Sequence, residues 1–385
     1  MNAPRAYLDH NATAPVRPEV VEAVVRALSL PGNPSSTHGE GRAARAALER
    51  AREQVATLAG AGVGRVVFTS GGTEAANAVL SGALVRQGMP APTRLLVGAT
   101  EHPCVSAGHR FPDGAVAVLP VDASGLIRLD ALRQALADAS DEGVLISVHA
   151  ANNETGVIQP LAQIVALARA HGRALVHSDA VQAIGKIPFG AQALGLDALT
   201  LSGHKFAATK GVGAIVLAEG VSLDAAFLRG GGQEGRLRGG TENLPGIVGL
   251  GVAADLARDG SGRLAPWRDA IEAGVRAIAP DAVIFGAGAP RLPNTLSFAV
   301  PGLEAATALM ALDLAGIAVS SGSACASGKV ARSPVLAAMG VSPALAAGAI
   351  RVSLGWNSGE SDGVRFLDAF ERLVATLYRR QGRAA

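Results

Sequence analysis

Short polar clusters hold the side chains able to do chemistry, and most follow an apolar run. In "TSGGTEA", Gly71 and Gly72 precede Thr73 at the opening of an amphipathic stretch. A helix start has spare backbone N–H groups and a positive dipole end. The segment is therefore an anion cradle with Thr73 as N-cap, or an ordinary glycine turn. "SDAVQ" ends an apolar run on Asp179, with Gln182 following, so that carboxylate is a helix cap or the partner of a buried cation. "SGHKF" sets Lys205 beside Ser202 and His204. Desolvation favours the neutral amine, which attacks carbonyls, whereas a lysine that snorkels to solvent stays an ordinary surface charge. "EHP" adds His102, a residue that is more often hydrogen-bonded structure than catalyst when it stands alone. In "SSGSACASGKVARS" (320–333), Cys325 is either a small filler or a thiol held out to react.

Taken together these residues narrow the chemistry. An anion cradle, a carboxylate for a pyridinium nitrogen and a lysine able to form a Schiff base are the protein parts that pyridoxal 5'-phosphate (PLP) requires. Rival signals fall short. Ser202-Gly203-His204-Lys205 fits S-x-x-K, but no S-D-N or K-T-G follows. "GGGQEG" (230–235) fits G-x-G-x-x-G, yet no clear strand precedes it and "ENLPG" interrupts any helix after it. His102, Cys104 and His109 lack a fourth close ligand for a metal, and Cys104 reads as buried filler near a strand end.

These side chains must be positioned by a recurring unit: an apolar run, a polar or glycine-rich turn, then an amphipathic helix. Strands are expected at 65–69 and within 94–103, 143–156, 174–182 and 198–206. After the first, a helix should carry Ala76, Val79, Leu80, Ala83 and Leu84 on one face; another should cover 160–172. Continuous apolar strands alternating with helices predict a mainly parallel sheet covered on both faces, with ligands gathered at the carboxyl ends of the strands. The pattern breaks near 257–267. Beyond it come a helix at 266–279, a strand around 294–300, a helix at 303–315 and a last helix from about Ser361.

The chain has 385 residues, 49% of them hydrophobic, which suits two domains. A net charge of +2, with Lys and Arg spread along the chain, leaves no nucleic-acid footprint. No uncharged apolar run approaches the ~20 residues that span a bilayer, and the first residues lack a secretory apolar core. Two distant cysteines suit a reducing cytoplasm rather than a disulfide framework.

Ordered motifs along nearly the whole chain resemble the cysteine desulfurases of the NifS/IscS type, in the class V aminotransferase family of fold-type I PLP enzymes. They are "YLDHNATAPVRPEV", "GNPSSTHGEGRAAR", "FTSGGTEAAN", "EHP", "ANNETGVIQP", "HSDAVQAIGKIPF", "LSGHKF", "GGGQEGRLRGGTEN", "LPNTLSF", "GIAVSSGSACASGK" and "AIRVSLG". The resemblance implies an α/β fold with a seven-stranded, mainly parallel sheet between helices. It implies a large PLP-binding domain over 15–256 and a smaller α+β domain from 1–14 and 257–385, the latter carrying a catalytic loop at about 321–333. Lys205 would be the Schiff-base lysine, Asp179 the partner of the pyridinium nitrogen and Gln182 that of the ring hydroxyl. His102 would stack on the ring and act as acid/base. Gly72, Thr73, Ser202 and His204 would hold the phosphate, joined by Thr241 from a second subunit of a homodimer. Asn153 would lie by ring and substrate, and Arg351 would take the substrate carboxylate. L-cysteine would yield L-alanine, with a persulfide left on Cys325 for an acceptor such as an iron–sulfur scaffold protein. The eight positions from Cys325 to Ser333 resemble the long-loop group. Two local departures stand out: "FAATKG" where the family usually reads a residue pair and then Gly-Pro-Lys-Gly, and "QEGRLRGGT" where Gln-Glu-Arg-Gly is commoner.

Overall fold

The structure, a computed structural model, describes residues 5–321 and 333–380; Cys325 lies outside them. Seven strands form the main sheet: β1 (Val66–Thr69), β2 (Arg94–Gly98), β3 (Val116–Leu119), β4 (Val144–Ser147), β5 (Ala174–Asp179), β6 (Ala198–Ser202) and β7 (Gly213–Leu217). Their order across the sheet is β1-β7-β6-β5-β4-β2-β3. β7 runs antiparallel to β1 and β6, and the remaining pairings are parallel. The mainly parallel α/β sheet expected from the alternating pattern is therefore present. Every residue of β1, β4, β5, β6 and β7 is buried, which explains their unbroken apolar runs.

The two faces of the sheet feed separate cores, as the period-2 alternation of a strand requires. Phe68, Leu96, Ile146, Val176 and Leu201 point into one cluster. Val67, Leu95, Leu145, Leu175 and Ile215 point into the other, against Ala75, Ala76 and Val79. Among the described residues the longer helices are α1 (Pro18–Leu28), α2 (Gly39–Ala59), α3 (Gly72–Val79), α4 (Leu129–Asp138), α5 (Leu161–His171) and α6 (Leu244–Leu256), which accompany the main sheet, and α7 (Ala265–Ile278), α8 (Ala305–Leu314) and α9 (Glu360–Arg380), which contribute to a separate core. α6 packs on both α1 and α2 and is apolar nearly all round, the signature of a buried helix. A Cβ on Gly251 would come within 2.7 Å of the Ala51 Cα, so glycine there permits the close approach of α6 to α2.

A third cluster joins Ala6 and Leu8 to residues from Leu264 to Tyr378. Its sheet is antiparallel, with β8 (Val283–Ile284), β9 (Thr295–Ala299) and β10 (Ile350–Ser353) in sequence order. Phe298 meets Phe370 edge-on at 5.4 Å, and Phe370 stacks on Phe366. Among the described residues no helix is long and apolar enough to cross a membrane.

Two local expectations are corrected. The helix after Thr73 stops at Val79. Gly82, at φ 88°, turns the chain so that Leu84 opens a short strand (Leu84–Arg86) paired with Val221–Leu223 instead of extending the helical face. "ENLPG" starts a helix and does not block one. Asn243 caps α6 by accepting from the Gly246 N–H, and Pro245 sits in the first turn, where its missing N–H costs nothing.

Candidate active site

The strands bring the scattered polar clusters to one end of the sheet. A cavity of about 400 Å³ is lined by Gly72, Thr73, His102, Asn153, Asp179, Gln182, Ser202, His204, Lys205 and Arg351, together with residues including Asn11, Ala12, Cys104 and His149. The topology explains the gathering. β5 and β6 are adjacent and parallel, so Asp179 and Ser202 end side by side. α3, which follows the edge strand β1, packs against both β6 and β7. A single turn of 3₁₀ helix, Gly203–Lys205, then carries the lysine past the end of β6.

Lys205 is held by backbone, its Nζ donating to the Asn11 carbonyl at 2.8 Å and the Ala12 carbonyl at 2.9 Å. His204 contacts Thr13 Oγ1 at 3.2 Å, and burial, helped by Lys205, Lys210 and Lys186, pushes its pKa down to about 4. It is a neutral imidazole at pH 7. At the start of α3 the N-cap is Gly71; Thr73 lies inside the helix and caps nothing, a correction to the capping role expected for it. Its hydroxyl is thereby left available to the cavity that it lines. A Cβ on Gly72 would sit 3.0 Å from Val181 Cγ2 and 3.4 Å from Ser202 Cβ, so the missing side chain keeps space between the helix start and Ser202. The first N–H groups of any helix lack intrahelical acceptors, and here they open on the cavity.

The carboxylate end is buried. Asp179 Oδ1 accepts from the Val181 N–H at 2.9 Å, and Oδ2 lies 4.0 Å from Cys104 Sγ; among the described residues no arginine or lysine forms an ion pair with it. Burial, reinforced by Glu101, raises its pKa to about 6 despite the Val181 N–H, His149 and Lys205. A cationic ring nitrogen is the kind of partner that this carboxylate lacks. His102 caps the short helix Pro103–Ser106, accepting from the Cys104 N–H at Nδ1. Burial and then Lys205 lower its pKa, against Glu101. Its Nδ1 is thus committed as acceptor, and the ring is neutral near pH 7. Cys104, expected near a strand end as buried filler, is half-buried on that helix and lines the cavity.

Arg351 comes from β10, which pattern reading did not anticipate as a strand. Its Nη1 donates to the Asn153 carbonyl at 2.8 Å and its Nη2 to Asp9 Oδ1 at 2.7 Å, while among the described residues its buried Nε finds no hydrogen-bond partner. Through its main chain Arg351 also bridges to Ser320, just before the cysteine segment. On the far side of that segment Ser333 donates to Glu154 Oε2 at 2.6 Å, next to Asn153. Thr241 is exposed and does not line the cavity of its own chain.

Three further residues deserve the same attention as those singled out from sequence. His149 Nδ1 lies 2.8 Å from Glu101 Oε1, which also accepts from the His149 N–H. Glu101 outweighs burial and raises the His149 pKa. Asn11 supplies the carbonyl under Lys205 and receives the Gln182 side-chain amide at 3.0 Å. Asn11 and Glu101 lie within the quoted motifs "YLDHNATAPVRPEV" and "EHP", whereas His149 precedes "ANNETGVIQP" and lies in none of them. No spacing rule distinguishes them, because a backbone carbonyl carries no residue-type signal.

The cavity fits PLP on these observations: an opened helix start, a buried carboxylate that pairs with no arginine or lysine among the described residues, and a lining amine held by two main-chain carbonyls. Comparison with known proteins agrees. The class-V aminotransferase family matches residues 6–366. A cysteine desulfurase of Cereibacter sphaeroides is 43% identical over 97% of this chain and 96% of its own length. An IscS-like cysteine desulfurase of Mycobacterium tuberculosis is 40% identical over 97% of both. The solved structure of a NifS-like protein from Rickettsia africae superposes with a TM-score of 0.85 at 33% identity, covering 96% of this chain and 99% of that one. The chain belongs to the class-V aminotransferase family of PLP-dependent enzymes and, within it, to the cysteine desulfurases of the NifS/IscS type.

Proposed function

We propose that this chain is a PLP-dependent cysteine desulfurase, a sulfurtransferase that converts L-cysteine to L-alanine and leaves the sulfur as a persulfide on Cys325. The observation that carries the reading is the single cavity holding the Lys205 amine, the Asp179 carboxylate, the α3 start and the Arg351 guanidinium. Bound there, PLP supplies the electron sink that lets the substrate Cα–H bond break. The chain's own residues do the rest. Arg351 binds the substrate carboxylate through its fork, oriented by Asp9 and the Asn153 carbonyl. Gly72, Thr73, Ser202 and His204 would hold the phosphate, Gln182 and Asn153 would border the ring, and Asp179 would pair with its nitrogen. Lys205 and His102 move protons at the substrate carbon and sulfur. The Cys325 thiolate forms the new S–S bond with the substrate sulfur; the Cβ–S bond breaks, its electron pair stays on carbon, and protonation there gives the methyl group of alanine.

The same reading extends to organisation. A core cluster that joins Ala6 and Leu8 to residues such as Leu264, Phe298 and Phe370 supports a large domain over 15–256 and a small one from 1–14 and 257–385, while Phe285, Leu292, Val335 and Met339 join the core on one face of the main sheet. Exposed Thr241 completes the phosphate site of a second subunit in a homodimer. The enzyme acts in the cytoplasm, where a thiol stays reduced, and passes its sulfur to an acceptor such as an iron–sulfur scaffold. Labelled cysteine tests the proposal. Sulfur label should rest on Cys325, and Cys325→Ala should keep the visible PLP band while losing sulfide release. Undiminished turnover in Cys325→Ala would instead indicate a β-lyase or aminotransferase.

A further inference from the structure

A buried lysine, distinct from half-buried Lys205, lies behind the cavity wall. Lys186 is 5% exposed and, among the described residues, pairs with no carboxylate. Its Nζ donates to Asn11 Oδ1 at 2.8 Å and to Gln182 Oε1. Removing a lysine from water without a counter-ion is costly, so it is rarely retained without a task. Burial, then Lys205 and Arg351, hold its pKa well below the ordinary range, and Lys186 in turn depresses His10 and His204.

The side-chain amide of Gln182 lies between two neighbours of opposite kind. Its Nε2 faces the Asn11 carbonyl, which can only accept, at 3.0 Å. Its Oε1 faces the Lys186 amine, which donates. A flipped amide would set two oxygens against each other at the Asn11 side, so the polarity follows from hydrogen-bond chemistry. One Nε2 hydrogen is used by Asn11, and the second belongs to a residue that lines the cavity. Asn11 is doubly involved, because its carbonyl also carries Lys205 and its side chain accepts from Lys186 and Asn294.

We propose that Lys186 is a positioning residue: it clamps Gln182 and Asn11 so that Gln182 offers the cofactor's ring oxygen an N–H donor and never an acceptor. This rests on the reading of Gln182 given under the proposed function. A donated N–H draws charge from the ring oxygen, which then holds the proton on the adjoining lysine-linked nitrogen less firmly. Losing the donor therefore raises the pH at which the visible band titrates.

The test is an absorbance titration of the purified holoenzyme, with the thermal midpoint of the cofactor-free protein as a separate readout. Lys186→Met should raise the band's midpoint by about one pH unit, a tenfold change in proton affinity. Gln182→Leu should match it, the double variant should go no further, and Lys186→Arg should restore the wild-type midpoint. A Lys186→Met midpoint within about 0.2 unit of wild type, beside a shifted Gln182→Leu, overturns the proposal, even if the protein melts earlier. If Lys186→Met does not fold, Lys186→Ala decides by the same titration: a raised midpoint supports the clamp, and an unchanged one beside a shifted Gln182→Leu overturns it. Absence of a visible band in the wild type would defeat the PLP reading itself, a different failure.

Discussion

Asp197 and Asp179 stand at opposite ends of the same central strands, and the fold treats these two carboxylates in opposite ways. Asp197, just ahead of β6, is fully buried, yet it accepts from Arg86 Nε at 3.0 Å, Arg169 Nη2 at 2.9 Å and the Val176 N–H at 2.7 Å. Asp179, at the end of β5, is also buried and has the Val181 N–H and the distant Cys104 sulfur. The cavity beside Asp197, at about 490 Å³, is larger than the one beside Asp179, at about 400 Å³. Size therefore does not mark the chemistry. A carboxylate whose acceptors are filled by its own protein is architecture, and one left short of a cation is a place for a ligand.

Exchanging the roles of the two groups is the strongest test of this contrast. Asp179→Ala should lower turnover by about 10³-fold, as loss of a preorganised charge in an active site does, while leaving the urea midpoint of the cofactor-free protein unchanged or higher. Asp197→Ala should do the reverse. It strands two guanidinium groups and a backbone N–H, so the protein should lose about 3–5 kcal/mol of stability in urea melts, with turnover per bound cofactor nearly unchanged. A variant of Asp197 that folds normally but fails in catalysis would break the comparison.

A smaller effect sharpens it. Burial pushes the folded-state pKa of the Asp179 carboxyl up to about 6, above the ordinary aspartate range. Its protonated form is therefore favoured by the fold. The contribution is complete below the unfolded pKa and disappears as pH rises through about 6. Urea midpoints of the cofactor-free protein, compared with Asp179→Asn, should diverge across that window. The difference should shrink once PLP is bound, because a cationic ring nitrogen favours the ionised carboxylate.

Much of this was legible in the chain. Apolar runs such as "ALVHSD" and "ALTLS" announced buried parallel strands, since a strand covered on both faces needs no polar alternation. Asp179, Ser202, His204 and Lys205 follow those runs directly, so strand topology alone carries them to one sheet end. Arg351 was legible as a motif residue but not as part of a strand, because Ile350–Ser353 is short and pairs with residues more than fifty positions earlier. The loop departures also have a structural counterpart. Among the described residues, the non-glycine positions with positive φ are Ala207, Glu234 and Arg236, all within "FAATKG" and "QEGRLR". Buried Arg52 pins the second of these through a two-pronged pair with Glu234. Such a clamp, 182 residues apart in sequence, leaves no local pattern to read.

The sequence by itself determined which residue types are present and which strand ends present them, because local periodicity and turn chemistry are short-range. That was enough for the family, the cofactor and the candidate lysine, carboxylate and thiol. Tertiary structure alone decided the electrical state of each group: Asp179 with no arginine or lysine paired to it among the described residues, Asp197 saturated, and Lys186 buried against Gln182 and Asn11. Desolvation and hydrogen-bond satisfaction depend on every neighbour in space, and those neighbours come from segments that no window along the chain contains.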